Sequence, residues 1–246
     1  MKKFLLFSIV LSTFTLFGAP KRGAVCFTFD DYHGKNWLKA DAIFKKYNAH
    51  ATFFIVRDIT PEKAEVMKQL QAAGHTVGLH TFHHRNATNF IQKYGEEWYF
   101  RNEIKPQLDR CKEYGIKVTS FAYPNNRRDE RSDKLLFRYF DFLRAGQGPA
   151  RKPIYYPIVD LKPKMVLGGG GIGVYYHSKL EELVKILEHA AATDTMVVFF
   201  SHNIAPRIGG ISMPSELLEA LLKRASELNM SVIGFDEVAG LAAGRK

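Results

Sequence analysis

Cysteine is scarce in this chain. Its 246 residues include two, Cys26 and Cys111, too few for the disulfide framework that staples small secreted domains. Cys26 reads as a buried strand residue and Cys111 as a helix residue, and a single bridge between them stays open. A long Lys/Arg block, a recognition helix and an aromatic-basic array are also missing. Nucleic acid is therefore not an expected partner, although the formal net charge is +10. For an exported chain that charge suits contact with an anionic polymer or surface, although a solvated basic face is the preferred account of it. No internal repeat, low-complexity linker or second composition divides the sequence. Its apolar run from Phe4 to Phe17 follows Met1-Lys2-Lys3 and is too short for a comfortable membrane span. With Gly18-Ala19 behind it, the segment reads as a secretory signal peptide over residues 1–19. That predicts a secreted, periplasmic or cell-envelope protein with no stable membrane span after cleavage, an uncleaved anchor being the alternative. Residues 20–246 suit one large domain.

Within that domain, strand and helix patterns alternate about seven times. Helices are expected over 35–47, from Thr60-Pro61 to Gly74, over 96–114 with Pro106 marking a kink or break, and over 129–139, 179–192 and 214–228. Strands are expected at Gly23–Phe29, 50–56, 76–79, 118–123, 140–144, 195–200 and 231–235, with Val166-Leu167 as another before Gly168–Gly171. The segment 146–163 reads as a loop. This alternation predicts an α/β domain with a largely parallel sheet. A closed or nearly closed barrel is preferred here to an open doubly wound sheet, a choice that periodicity alone does not make.

The stretch that organises the chain is Cys26-Phe-Thr-Phe-Asp30-Asp31, a buried strand ending in two carboxylates. Buried carboxylates need a cation or hydrogen-bond donors, and ligands bind at the carboxyl ends of strands in such folds. The same pair also suits a turn, and the stretch by itself leaves both readings open. Further metal- or proton-binding residues recur at strand tips: His80 and His84 after the third strand, His202 after the strand at 195–200. His at i and i+4 with one carboxylate is a frequent zinc pattern that leaves a position open for water.

Thr28-Phe29-Asp30-Asp31, His80-Thr81-Phe82-His83-His84, Phe121-Ala-Tyr-Pro124 and Val197-Val-Phe-Phe-Ser-His202, in this order and spacing, resemble the polysaccharide deacetylases of carbohydrate esterase family four. The resemblance covers about residues 23–235. It implies a distorted seven-stranded (β/α) barrel in a single domain, acting as a monomer. It also implies hydrolysis of acetyl groups from N-acetylated, sometimes O-acetylated, polysaccharides or oligosaccharides. Carried over position by position, Asp31, His80 and His84 would hold a divalent metal, first of all Zn²⁺, with Co²⁺ or Ni²⁺ as alternatives. Asp30 would be the general base on the attacking water, and His202 the general acid to the leaving amine. The backbone N–H of Asn125, next to Tyr123-Pro124, would stabilise the oxyanion, and Tyr123 and Asn125 are the candidate substrate positions.

Two departures from the pattern matter. Ala122 stands where the family's third motif has an Arg that orients the base, and Asn125-Asn126 stand for Tyr-Gly. Arg144, at the end of the strand before it, is the candidate replacement cation for Asp30, with Arg127 and Arg128 as alternatives. The family's later Asp-and-Trp motif has no counterpart, since Trp37 and Trp98 fall in helical segments, and Tyr155, Tyr156, Tyr175 and Tyr176 are candidates for its substrate contacts. Two other functions fit the same residues: an O-acetyl esterase, and a non-catalytic glycan-binding protein. A pure binder has no need to keep Asp30 and His202 beside all three metal ligands.

Overall fold

The computed structural model describes residues 21–150, 152–206 and 210–244. The expected signal peptide lies outside them. Seven parallel strands form the frame: β1 (Ala24–Phe29), β2 (Thr52–Ile55), β3 (Thr76–Leu79), β4 (Ser120–Ala122), β5 (Phe142–Pro149), β6 (Met165–Gly171) and β7 (Thr195–Ser201). Each pairs with the next, and β7 returns to β1 in continuous register from Ala24↔Met196 to Phe29↔Ser201, closing the barrel. The closure is uneven: β3 meets β4 at one position, Leu79↔Phe121, and β6 meets β7 only through Gly170 and Gly171. Short strands at Ser231–Val232 and Tyr156–Pro157 add to β1 and β7 outside this ring.

Side chains alternate along a strand, so parity sorts the residues. Val25, Phe27 and Phe29 face outward into the cluster that includes Trp37 and Phe44 of α1 (Gly34–Lys46). Ala24 and Cys26 face inward with Phe54, Phe142, Leu167, Met196 and Val198. Strands buried on both faces read as continuous apolar runs, which is why all six residues of β1 are buried. Phe235 closes the base of the barrel, edge-on to Phe54 and Phe142, its N–H on Thr52 Oγ1 at 3.0 Å. Continued to the strand tips, the inward parity takes in Asp30, His80, Ala122, Arg144 and His202.

Several elements differ from the expectations above. A helix α3 (Ala87–Tyr94) was not foreseen; Asn86 caps it by accepting the Asn89 N–H at 3.1 Å. The expected helix over 96–114 is two helices, α4 (Glu96–Tyr99) and α5 (Lys105–Glu113), joined by a π-turn over Phe100–Ile104. Pro106 sits in the first turn of α5, where its missing N–H costs nothing. The glycines at 168–171 do not follow a strand but belong to β6. β5 runs on to Pro149, into the expected loop, and the last strand is only Ser231–Val232. Helices α2 (Pro61–Ala72), α6 (Glu130–Leu136), α7 (Leu180–Thr193), α8 (Ser215–Glu227) and α9 (Val238–Ala243) complete the single domain. Cys26 and Cys111 are both free and buried. Among the described residues, no helix is long and apolar enough to cross a membrane.

Candidate metal and active site

The carboxyl ends of β1, β3 and β7 deliver Asp30 and Asp31, His80 and His202 to one mouth, and Arg144 reaches it from within β5, as the third residue of a strand that runs on to Pro149 and not from the strand end expected at 144. Asp31 departs from the strand with φ 73°, which turns its carboxylate away from its neighbour's. His80 Nε2 and His84 Nε2 lie 3.2 Å apart, and Asp31 Oδ1 lies 3.7 and 3.5 Å from them. Donors about 2.0–2.2 Å from a tetrahedral zinc stand ~3.3–3.6 Å from one another, so the three atoms have the spacing of one face of such a site. The tautomer agrees. His80 Nδ1–H donates to Ala122 O at 2.8 Å, leaving the Nε2 lone pair turned to the other two donors. Burial pushes the His80 pKa down to about 4, the neighbouring carboxylates opposing, which keeps the ring neutral as a ligand must be. The donor set therefore fits a divalent cation.

Asp30 is 3 % exposed and Arg144 fully buried inside the barrel. Their side chains pair through Arg144 Nη2 and Asp30 Oδ2. Ala122 of β4 stands in register with Arg144 of β5, so the guanidinium arises one strand over from the position at which the motif lacks it. Arg144 Nη1 donates to Asn126 Oδ1 at 2.9 Å, and the same oxygen accepts the Gly146 N–H at 2.7 Å. A Cβ on Gly146 would lie 2.4–2.5 Å from that Asn126 amide, so glycine is needed for the bracket to close. The Phe200 ring lies 4.8 Å from the guanidinium carbon. Burial alone would raise the Asp30 carboxyl; Arg144, with His80 and His202, overrides this and holds it below the ordinary carboxylate value. Asp30 Oδ1 has no hydrogen-bond partner although it is buried.

His202 Nε2 lies 3.9 Å from Asp31 Oδ2, the carboxylate oxygen other than the one that meets His80 and His84. Its backbone is fixed from α1: Trp37 Nε1–H donates to His202 O at 2.9 Å, and Asn36 bonds Asn203 at 2.9 Å. Asn125 is exposed with φ 54°, while Asn126 and Arg127 turn their N–H groups back to Tyr123 O and Pro124 O.

Other candidates do not gather there. Tyr123 is buried and donates through Oη to Asp133 Oδ1 at 2.7 Å; its backbone N–H is taken by Arg144 O. It follows Ala122 on the chain and so has outward parity, which removes it as a substrate contact. Arg128 also pairs with Asp133, which leaves Arg144 as the cation on Asp30. Tyr155 packs on His189 of α7, and Tyr156 pairs with the start of β7, both at the opposite end. Tyr176 stays at the mouth, edge-on to Phe200; a Cβ on Gly171 would meet its ring at 2.3 Å.

Sequence reasoning missed Glu103. It is fully buried on the π-turn, with Oε2 accepting the His83 N–H and Oε1 bonded to His83 Nδ1, both at 2.9 Å, and Arg85 at 3.4 Å. It thus grips the residues on both sides of His84. The signal was an acidic residue where a helix should show an apolar one.

Residues 18–139 match the family model described as polysaccharide deacetylase. A peptidoglycan-N-acetylmuramic acid deacetylase of Bacillus subtilis is 25% identical over 103 residues, 42% of this chain and 36% of that protein. A peptidoglycan-N-acetylglucosamine deacetylase of Bacillus cereus is 34% identical over 89 residues, 36% of this chain and 31% of that protein. The chain thus spans about a third of the length of these curated relatives. The solved peptidoglycan deacetylase PdaC of Bacillus subtilis superposes with a TM-score of 0.61 at 15% identity, over 93% of this chain and 95% of that one. At that identity the likeness establishes the fold.

Proposed function

We propose that this chain, which belongs to the polysaccharide deacetylase family, is an exported, metal-dependent hydrolase that removes acetyl groups from the N-acetylated sugars of a cell-envelope polysaccharide. The catalytic domain would be residues 20–246, freed of the signal peptide at 1–19. The observation that carries the reading is Asp30: a buried carboxylate with one oxygen clamped by Arg144 and the other unpartnered, beside three converged metal donors.

Asp31, His80 and His84 would hold the cation, zinc first, with cobalt or nickel as alternatives. When bound, it lowers the pKa of water towards ~7 and polarises the acetyl carbonyl. Asp30 Oδ1 takes the proton of the attacking water, and the Arg144 pair keeps Asp30 ionised and aimed. The Asn125 N–H faces the developing oxyanion. His202, with Nε2 towards the triad, gives a proton to the departing nitrogen. A glycan-binding protein without chemistry would not need a buried arginine to hold a free carboxylate oxygen in the mouth.

The test is acetate release from a panel of N- and O-acetylated glycans, with and without a chelator, alongside metal content by mass spectrometry. Chelator-sensitive release from N-acetylated substrates is expected. Release confined to O-acetyl groups would make the chain an esterase. No release from a metal-loaded protein would overturn the hydrolase reading.

A further inference from the structure

The cavity beside the triad contains a second kind of chemistry. It holds about 340 Å³ and is lined by Asp31, Tyr32, Val56, Arg57, Lys63 and His84. Arg57 follows β2 and Lys63 lies in the first turn of α2. Lys63 Nζ donates to Val56 O at 2.9 Å and sits 4.8 Å from the centre of the Tyr32 ring. Burial lowers the Lys63 pKa, with Arg57 adding to the effect and Asp58 opposing it. Asp58 is held by Arg110 at 3.6 Å. Among the described residues neither the Arg57 guanidinium nor the Lys63 ammonium forms an ion pair; the Lys63 backbone N–H is used separately, donating to Thr60 Oγ1 at 3.4 Å as part of the α2 cap.

The backbone of Arg57 is the second observation. Its φ is 67°, in the left-handed region that glycine occupies freely and an arginine does not. Two bonds hold it there: its N–H donates to Thr81 O at 2.9 Å, and its carbonyl accepts Gln107 Nε2 at 2.7 Å. A long cation kept in a conformation that suits glycine, on the wall of a cavity shared with His84 and Asp31, points to a use for its side chain.

We propose that Arg57 and Lys63 form a subsite for a carboxylate carried by the acetylated sugar or by the sugar next to it, so that the preferred substrate is an anionic acetylated glycan. The inference rests on the deacetylase reading above for its choice of a glycan. A planar guanidinium matches a carboxylate through two parallel hydrogen bonds, and the ammonium adds a point charge. Because the cavity includes Asp31 and His84, the anion would lie within about one sugar ring of the acetyl group.

The probes are a β-1,4-linked tetramer of N-acetylglucosamine bearing 3-O-carboxyethyl groups on alternate sugars, and the same tetramer with those groups as primary amides. Affinities come from titration calorimetry on the metal-loaded protein, and initial rates from acetate release. The wild type should prefer the carboxylate tetramer by ~10-fold or more, the range of a charge-assisted pair, and salt should weaken that preference. Arg57→Gly should bring it close to one while keeping the fold, since glycine suits this φ, and Lys63→Met should lower it in part. A wild-type preference near one, or a preference that survives both substitutions, overturns the proposal. Preferential binding without acetate release would sink the deacetylase reading and keep the subsite. Equal binding and equal deacetylation of both tetramers would do the reverse.

Discussion

The two ends of the barrel use the same residue types in opposite ways. At the base, His75 is buried with both ring nitrogens engaged: Nδ1 accepts the Ala51 N–H at 3.0 Å and Nε2 meets Asp41 at 3.2 Å. Glu237 bridges His50 at 2.9 Å and the Gly234 N–H at 2.8 Å. At the mouth, His80 is as buried and its pKa is lowered as far, yet its Nε2 faces another histidine nitrogen and a carboxylate. Buried atoms without a partner are more numerous at this end, where they include Asp30 Oδ1, Thr81 Oγ1, Arg144 Nε, Ser201 Oγ and His202 Nδ1, than at the start of β4, where they are Thr119 Oγ1 and Ser120 Oγ. Left-handed backbone shows the same division. At the base it falls mostly on residues that end helices and tolerate it, Asn48, Asp194 and Asn229, with Lys164 before β6 as the exception; at the mouth it falls on Asp31, Arg57, Thr81, His84, Asn125 and Asn126. The base is arranged for stability, and the mouth keeps polar atoms and strain available for a ligand.

Exchanging the same substitution between the two ends should have the largest effect. His80→Ala should abolish bound metal and turnover, and should lower the melting temperature of the chelated protein by no more than His75→Ala does. His75→Ala should keep the metal and lower the melting temperature, since it opens a cavity and strands the Ala51 N–H; metal analysis and calorimetry on both variants test this. Asp30→Asn should keep the metal and reduce kcat by ~10²–10⁴-fold, the usual weight of a general base. Retained turnover would place the base elsewhere.

A smaller effect is expected from Arg144→Lys. A lysine cannot reach Asp30 and Asn126 together, so kcat should fall by about tenfold, one hydrogen bond to a charged group, with metal affinity kept. Because Arg144 lowers the Asp30 pKa, weakening the pair raises it and moves the acidic limb of the pH–rate profile to higher pH. The smallest effect belongs to the base. The His75 pKa is lowered from 6.5 to about 4 in the folded protein. The stability that the neutral ring contributes is therefore fully present above about pH 6.5 and is lost as pH falls towards 4. In His75→Gln the melting temperature should decline less steeply over that range than in the wild type. A parallel decline would show that other groups govern acid stability.

Much of this division is legible in the sequence. A period of two runs through β1 to Asp30 and through β7 to His202, and the same parity, applied to Tyr123, would have turned it outward. What was not legible depends on packing between distant segments. The register Ala122↔Arg144 is set by a strand pairing, so the replacement cation could be nominated only from an expected strand end, which β5 passes by running on to Pro149, and could not be aligned. The expected strand at Val166-Leu167 stops before the glycine run because glycine weakens strands. In β6 it is required instead, where Ala150 and Tyr176 lie against the backbone of Gly170 and Gly171. Asn86, which opens the triplet Asn86-Ala-Thr88, is a helix cap, a role that its sequence neighbours did not announce.

That π-turn bears on which changes of chain length the protein can survive. A residue added to or taken from a helix turns everything beyond it by about 100°. On one side of Phe100–Ile104 stands α4; on the other, α5 brings Cys111 into the core and sets Gln107 Nε2 against Ile55 O and Arg57 O at 3.0 and 2.7 Å. Losing one residue from the turn would restore a regular helix and force a choice: either Glu103 swings off His83, or α5 rotates out of its seat. Exposed positions there, such as Arg101, can change identity freely, whereas the number of residues cannot. Single-codon deletions across 100–104 should therefore be far more damaging than any substitution at Arg101.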